Sequence, residues 1–210
     1  RHGDIAGKIV NDQLARTFTR LESGKIQPPK STAAVPSFSG PVTEEYPKKF
    51  KQAFIIQGYL AANSADADYP ALKVINSILG GGMNSRLWRY LRDELGLAYS
   101  VGTFYPTRQD TSRFVVYIGL AENRVPEALE KIQSEINRFK TDGIDEQELA
   151  ENITYLRGNY LLDHATTKRR SWYLGWWEII GKGFEYDKKY PADLARVSAA
   201  EIKRIANKYF

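Results

Sequence analysis

Two histidines, His2 and His164, and no cysteine are the whole stock of imidazole and thiol groups in these 210 residues. A hydrolytic zinc site draws about three ligands from histidine and carboxylate, commonly with two of them one helical turn apart. His2 and His164 are far apart in sequence, and His164, in LLDHATTKRR, has no histidine at i+4. The chain therefore predicts no metal centre of its own, and His164 is expected at a helix end or on the surface. No Gly-x-Ser-x-Gly elbow presents a serine, so hydroxyl-nucleophile chemistry is equally unsupported. No residue of this chain is assigned a catalytic role.

The stretch with most chemical content is LGGGMNSRLWRYLRDELGLAYSVG, Leu79 to Gly102. Gly80, Gly81 and Gly82 lack the lysine and hydroxyl residue that complete a phosphate loop, and they fall between two predicted helices. Alone they read as a flexible helix-to-helix turn. Arg86, Arg89 and Arg92 recur about once per turn, which suits a stripe facing a polyanion or, more commonly, a solvated helix face. Arg92 falls in the last turn of its helix, Gly96 reverses the chain, and Tyr99 opens the next strand. Two strong hydrogen-bond donors are thus expected at one edge of a sheet, where they could hold the carbonyls of an extended peptide. The alternative is structural: Arg92 answering a helix dipole and Tyr99 serving as a sheet residue.

The elements that must position this pair follow from periodicity. RHGDI reads as the end of a strand whose start lies upstream, followed by a helix with Val10, Leu14, Phe18 and Leu21 on one face and Gly24 as its stop. Residues 25–41, rich in proline and serine, read as a linker, with VTEEYP after it as a first strand. The expected organisation is 1–27 as the tail of a preceding domain, 28–48 as linker and first strand, and 49–210 as one α+β domain. Within that domain KQAFIIQGYLAA is a strand, and helices run near 68–79 and 84–95, the first burying Ala71, Leu72, Ile75 and Leu79, the second Leu87, Leu91 and Leu95. LAYSVGTFY and SRFVVYIGL form an antiparallel unit around PTRQDT. Leu129, Ile132, Ile136 and Phe139 stripe the next helix. Asp145 with Glu148, and Ser198 with Glu201, read as capping boxes, and Val197 with Ile202 as a hydrophobic staple. The predicted fold class is α+β, an antiparallel sheet with helices packed on one face.

Hydrophobic residues make up 42% of the chain, enough for a real core, and no apolar run of membrane-spanning length occurs. No signal peptide is legible, and the absence of cysteine fits a reducing compartment such as the cytoplasm and equally a cysteine-free protein of the periplasm. The net charge of +5 is spread out, with its densest clusters at Lys48, Lys49 and Lys51 and at Lys168, Arg169 and Arg170. That permits a rival reading as a basic module binding nucleic acid or protein, although interleaved acids favour a solvated surface.

The quoted stretch, together with HGDI and its helix, GIDEQELAENITYLRGNYLL and VSAAEIKRIANKYF, resembles the C-terminal domain of the pitrilysin, or insulinase, family of zinc metallopeptidases, which includes the mitochondrial processing peptidases. The resemblance implies a processing-peptidase-like fold and two similar halves, from one chain or partner subunits in a dimeric assembly, that close around a peptide or unfolded protein. It places zinc in a catalytic half through a His-x-x-Glu-His motif and a distal glutamate, none of which this chain contains, so no cofactor is expected here. By resemblance, Arg92 and Tyr99 match a pair that reaches the substrate backbone, and Gly80 to Gly82 lie beside the chamber. No nucleic acid and no membrane span belong to this picture.

Overall fold

The computed structural model describes residues 7–19 and 37–210. The expected linker, for the most part, the RHGDI strand end, Leu21 and Gly24 lie outside the described residues. Helix α1, Gly7–Phe18, buries none of its residues. Strand β1 spans Ala53–Ala61, β2 Ala98–Phe104 and β3 Ser112–Leu120, in the order β1-β3-β2, both pairs antiparallel. β1 pairs with β3 without a slip from Ala53↔Leu120 to Ala61↔Ser112. β2 carries one irregularity, between Ala98 and Ser100, which leaves Tyr99 as the unpaired extra residue.

The alternation in AFIIQGYLA separates two faces. Ile55 and Tyr59 turn toward the helices, whereas Phe54, Ile56 and Leu60 turn the other way and are exposed. On the helical side Phe114, Ile118 and Leu120 are fully buried beneath α2, Tyr69–Gly80, α3, Val125–Asp142, and α7, Ala199–Tyr209. α4, Glu146–Asp163, α5, Thr167–Ile179, and α6, Tyr186–Ala195, complete the helical layer. Each buried leucine or isoleucine contributes about 1.5–3 kcal/mol, so the Ala71, Leu72, Ile75 and Leu79 stripe, buried as expected, fixes α2 to the sheet.

Several local signals hold in detail. Asp145 accepts from the Glu148 backbone N–H at 2.8 Å and Ser198 from that of Glu201 at 3.2 Å. Val197 and Ile202 are both buried. α7 is pinned through Asp68, which takes Arg204 Nη2 at 2.7 Å, Lys208 Nζ at 2.6 Å and the Tyr209 hydroxyl at 3.0 Å. Burial alone would push the Asp68 carboxyl up, but these hydrogen bonds hold it below its ordinary value. Phe210 closes the core between Tyr59 and Phe114, with ring centroids 5.0 and 4.9 Å away.

Three expectations are corrected. VTEEYP is not a strand: residues 41–50 are exposed and lie in no sheet, because apolar alternation is absent there and nothing is buried by pairing. Leu129 of α3 is exposed, and the helix instead buries Ala128 with Ile132, Ile136 and Phe139. The helix expected over 84–95 is wound as a π-helix across Trp88–Glu94, with the Leu95 N–H bonded to the Tyr90 carbonyl at 3.1 Å. Leu87 and Leu91 remain fully buried; a spacing of four residues suits the wider turn as well as an α-helix.

Candidate functional site

Gly96, at φ +59°, ends the π-helix in the left-handed region, and the Leu97 N–H returns to the Leu91 carbonyl at 2.8 Å. This turn ties the segment carrying Arg92 to the start of β2, where Tyr99 bulges from the ladder. Both side chains are exposed, and neither has a hydrogen-bond or ion-pair partner among the described residues. The Arg92 guanidinium carbon lies 4.2 Å from the Trp88 ring centroid, so stacking orders the fork while its N–H groups stay open.

The three arginines do not form one stripe. Arg86 turns inward, its Nε and Nη2 closing on the two Glu148 oxygens at 2.9 and 2.6 Å, with Nη2 also 3.1 Å from the Gly143 carbonyl. Burial opposes its charge, but the Glu148 hydrogen bonds and the nearby Glu148, Glu135 and Asp145 carboxylates outweigh it and hold Arg86 above its ordinary value. Glu135, almost wholly buried, is pushed up by burial against the opposing pull of Arg138 and Arg86. Because Glu148 spends its carboxylate on Arg86, its side chain does not close the capping box. Arg89 remains exposed. Arg86, Arg89, Tyr90, Glu148 and Glu151 are among the residues lining a shallow groove of about 570 Å³, polar and of mixed charge.

The glycines are not a uniform loop. Gly80 ends α2 against β2, where a Cβ would stand 2.3 Å from the Thr103 nitrogen, while one at Gly82 would meet only the Tyr155 hydroxyl, at an ordinary contact distance of 3.9 Å. Close approach explains Gly80, a reason local sequence could not supply.

His164 is half-buried at the α4–α5 corner, with Nδ1 2.6 Å from the Tyr160 carbonyl and Nε2 2.9 Å from Asp187. Tyr160 also donates to Asp187 at 2.6 Å, so His164 belongs to a lock joining α4 to α6. The basic cluster beside it is divided: Arg169 pairs with Asp163 at 2.9 Å and Arg170 donates to the His164 carbonyl. Among the described residues no group of three or more His, Cys, Asp or Glu side chains could hold a metal ion, and the donor set does not fit zinc.

Sequence reasoning missed the face opposite the helices. Register places Phe54, Ile56, Gly58 and Leu60 of β1, Arg113, Val115, Tyr117 and Gly119 of β3, and Ser100, Gly102 and Phe104 of β2 on it. Phe54, Ile56, Leu60, Phe104 and Tyr117 are all exposed, and the Phe104 and Tyr117 rings lie 6.3 Å apart. The alternation within β1 carried the signal, but a face left uncovered by this chain shows only once helices are placed.

This fold and sequence match the family model described as the Peptidase M16 inactive domain over residues 2–156, and the chain belongs to that family. It is 28% identical over 213 aligned positions to an uncharacterised zinc protease of Rickettsia felis, covering 98% of this chain and 50% of the relative. A protease from Helicobacter pylori superposes with a TM-score of 0.83 at 18% identity, over 99% of this chain and 51% of the other. A Peptidase M16 inactive domain from Pseudomonas fluorescens gives 0.69 at 22% identity, over 76% and 38%. The chain thus spans about half the length of the Rickettsia relative. No helix among the described residues is long and apolar enough to cross a membrane.

Proposed function

We propose that this chain is the non-metal-binding C-terminal domain of a zinc metalloendopeptidase, forming one wall of a clamshell chamber in which peptides or unfolded proteins are cleaved. The observation that carries this is the exposed, unbonded pair Arg92, in the π-helical segment, and Tyr99, at the start of β2, joined by the Gly96 turn beside a sheet whose other face is apolar and exposed. Phe54, Ile56, Leu60, Phe104 and Tyr117, exposed together on one face, are what a domain leaves open where another body covers it, as in one half of a larger enzyme. The zinc belongs to the other half, in the same polypeptide or a partner subunit of a dimer.

In this role Arg92 offers a planar fork held on Trp88, and Tyr99 a phenolic O–H. Both can donate to backbone carbonyls of an extended peptide, fixing its register and, where a carbonyl gains negative charge, stabilising that oxygen. Gly80 to Gly82 border the helix that carries Arg92 and act by positioning it. The proposed organisation keeps residues 1–27 as the tail of a preceding domain.

The test compares the complete protein, with its zinc-bearing half present in the same polypeptide or as the partner subunit, and the 210-residue chain alone. The complete protein is expected to hold stoichiometric zinc and to hydrolyse unfolded peptides until chelated; the shorter chain does neither. Hydrolysis by the shorter chain that survives repurification and chelator would overturn the reading.

A further inference from the structure

We infer that α5 pairs antiparallel with α5 of a second copy of this chain, through the exposed stripe Lys168, Ser171, Trp172, Gly175, Glu178 and Ile179. This surface lies on a different element from Arg92 and Tyr99, and its pairing does not depend on the peptidase reading.

α5 has two faces. Trp177 and the capping Ile180 are buried, and half-buried Tyr173 donates to Asp163 at 2.6 Å, so one side holds the helix to the domain. The stripe on the other side recurs at i, i+3, i+4, i+7, i+10 and i+11, the spacing of a single helix face, and all six residues are exposed. Trp172 is 50% and Ile179 73% exposed. The Trp172 ring is held in place: it lies 5.4 Å from that of Trp176, nearly parallel at 8°, and Arg169, fixed on Asp163 at 2.9 Å, stands 5.4 Å from its centroid. A large aromatic side chain that is already ordered loses little freedom on docking, which suits an interface anchor.

Two charges of the stripe are unspent. Lys168 and Glu178 have no ion-pair partner among the described residues, whereas Arg169 is committed to Asp163 and Arg170 donates to the His164 carbonyl at 2.7 Å. Glu178 accepts the Phe184 backbone N–H at 3.0 Å, a contact that leaves its charge unbalanced. Lys168 and Glu178 stand about 15 Å apart along the helix. Laying a second α5 reversed over the first, about a two-fold axis, sets Lys168 of each copy against Glu178 of the other, so two ion pairs form at once. The same register sets Ser171 opposite Gly175 of the second copy. Gly175 has nothing within 4 Å of where a Cβ would stand, so the backbones can approach there while Trp172 and Ile179 pack around the contact. An anionic membrane or a nucleic acid fits this face less well, because Glu178 repels it and Lys168 is the one cation in the stripe.

The experiment measures sedimentation of the complete protein at rising concentration into the submillimolar range, because two faces of 13-residue helices make a small interface. Reversible self-association is expected. Trp172→Ser weakens it about tenfold or more, and so does Gly175→Gln, which leaves the melting temperature unchanged because the fold has room at that position. Lys168→Glu and Glu178→Lys each weaken it about tenfold by setting like charges together. The double variant restores it, and an equimolar mixture of the two single variants associates as the wild type does, since each then meets its opposite charge. A complete protein that does not associate with itself, an association that ignores these variants, or a double variant that stays weak overturns the inference. So does an unassociated protein that sediments with phosphatidylglycerol vesicles and loses them in Trp172→Ser, which gives the face to a membrane surface. Zinc content and peptide hydrolysis of the same samples test the peptidase reading separately.

Discussion

Arg86 and Glu148 form a two-pronged ion pair, Nε to Oε1 at 2.9 Å and Nη2 to Oε2 at 2.6 Å, between residues 62 positions apart in sequence. The guanidinium carbon also lies 5.1 Å from the Phe139 ring centroid, so one side chain joins the start of the π-helical segment to α3 and α4. Both partners are mostly shielded, at 14% and 19% side-chain exposure. Breaking one partner strands the other: Arg86→Met is expected to destabilise the domain by about 3 kcal/mol in urea unfolding. Arg86→Met combined with Glu148→Leu should cost clearly less than the sum of the single changes. Additive losses would show that the pair is not coupled.

Lys73 supplies a pH signature. Its ammonium donates to the Tyr105 carbonyl at 2.8 Å and lies 5.3 and 5.0 Å from the Tyr69 and Tyr105 ring centroids, with no carboxylate paired to it among the described residues. Burial pulls its pKa down from 10.5 to about 8. Between those values the unfolded chain binds the proton that the folded chain has lost, so this residue's contribution to stability rises with pH there and is flat below about 8. The slope is at most about 1.4 kcal/mol per pH unit, and above about pH 10 it meets the opposing titration of unfolded tyrosines, since burial raises Tyr69, Tyr105 and Tyr190 in the fold. Lys73→Met should flatten the unfolding free energy between pH 8 and 9.5. A wild-type slope retained in the variant would assign it elsewhere.

What the sequence made legible was local. Alternation in AFIIQGYLA and SRFVVYIGL marked β1 and β3, and cap residues Asp145 and Ser198 marked two helix starts, because each signal lies within a few residues of what it specifies. The inward turn of Arg86 was not legible, since its partner lies on another helix and an arginine at helical spacing looks the same on a wet face. The π-helix was hidden for a related reason: Leu87 and Leu91 satisfy either winding, and packing against the sheet decides. Arg92 and Tyr99 could be singled out by type and spacing, but the apolar face needed the strand register to be seen as one surface.

Gly80 and Gly82 offer a contrast within one motif. Gly80→Ala would place a methyl 2.3 Å from the Thr103 nitrogen and 2.7 Å from the Gly102 carbonyl carbon, so α2 must move away from β2. A loss of about 2 kcal/mol or more is expected, as for an overpacked core position. Gly82→Ala meets nothing nearer than the Tyr155 hydroxyl at 3.9 Å and should leave the melting temperature within about 2 °C. Equal effects from the two changes would mean that flexibility of the run matters rather than the approach of Gly80 to the strand.

Arg92 and Tyr99 carry the opposite expectation, loss of function without loss of fold. Both are exposed and neither is bonded among the described residues, so Arg92→Ala and Tyr99→Phe should leave the melting temperature and the zinc content of the complete protein nearly unchanged. Peptide hydrolysis should fall by about tenfold to a hundredfold, the lower part of what removal of one positioned donor to a developing oxyanion costs, because contacts to flanking carbonyls add register more than charge stabilisation. Arg92→Lys separates the two contributions: it keeps the charge but gives up the planar fork stacked on Trp88, so it should recover little of the loss. Full recovery in the lysine variant would make Arg92 a point charge. Wild-type hydrolysis in both Arg92→Ala and Tyr99→Phe would remove the pair from the site and leave one a helix-end cation and the other a bulged sheet residue.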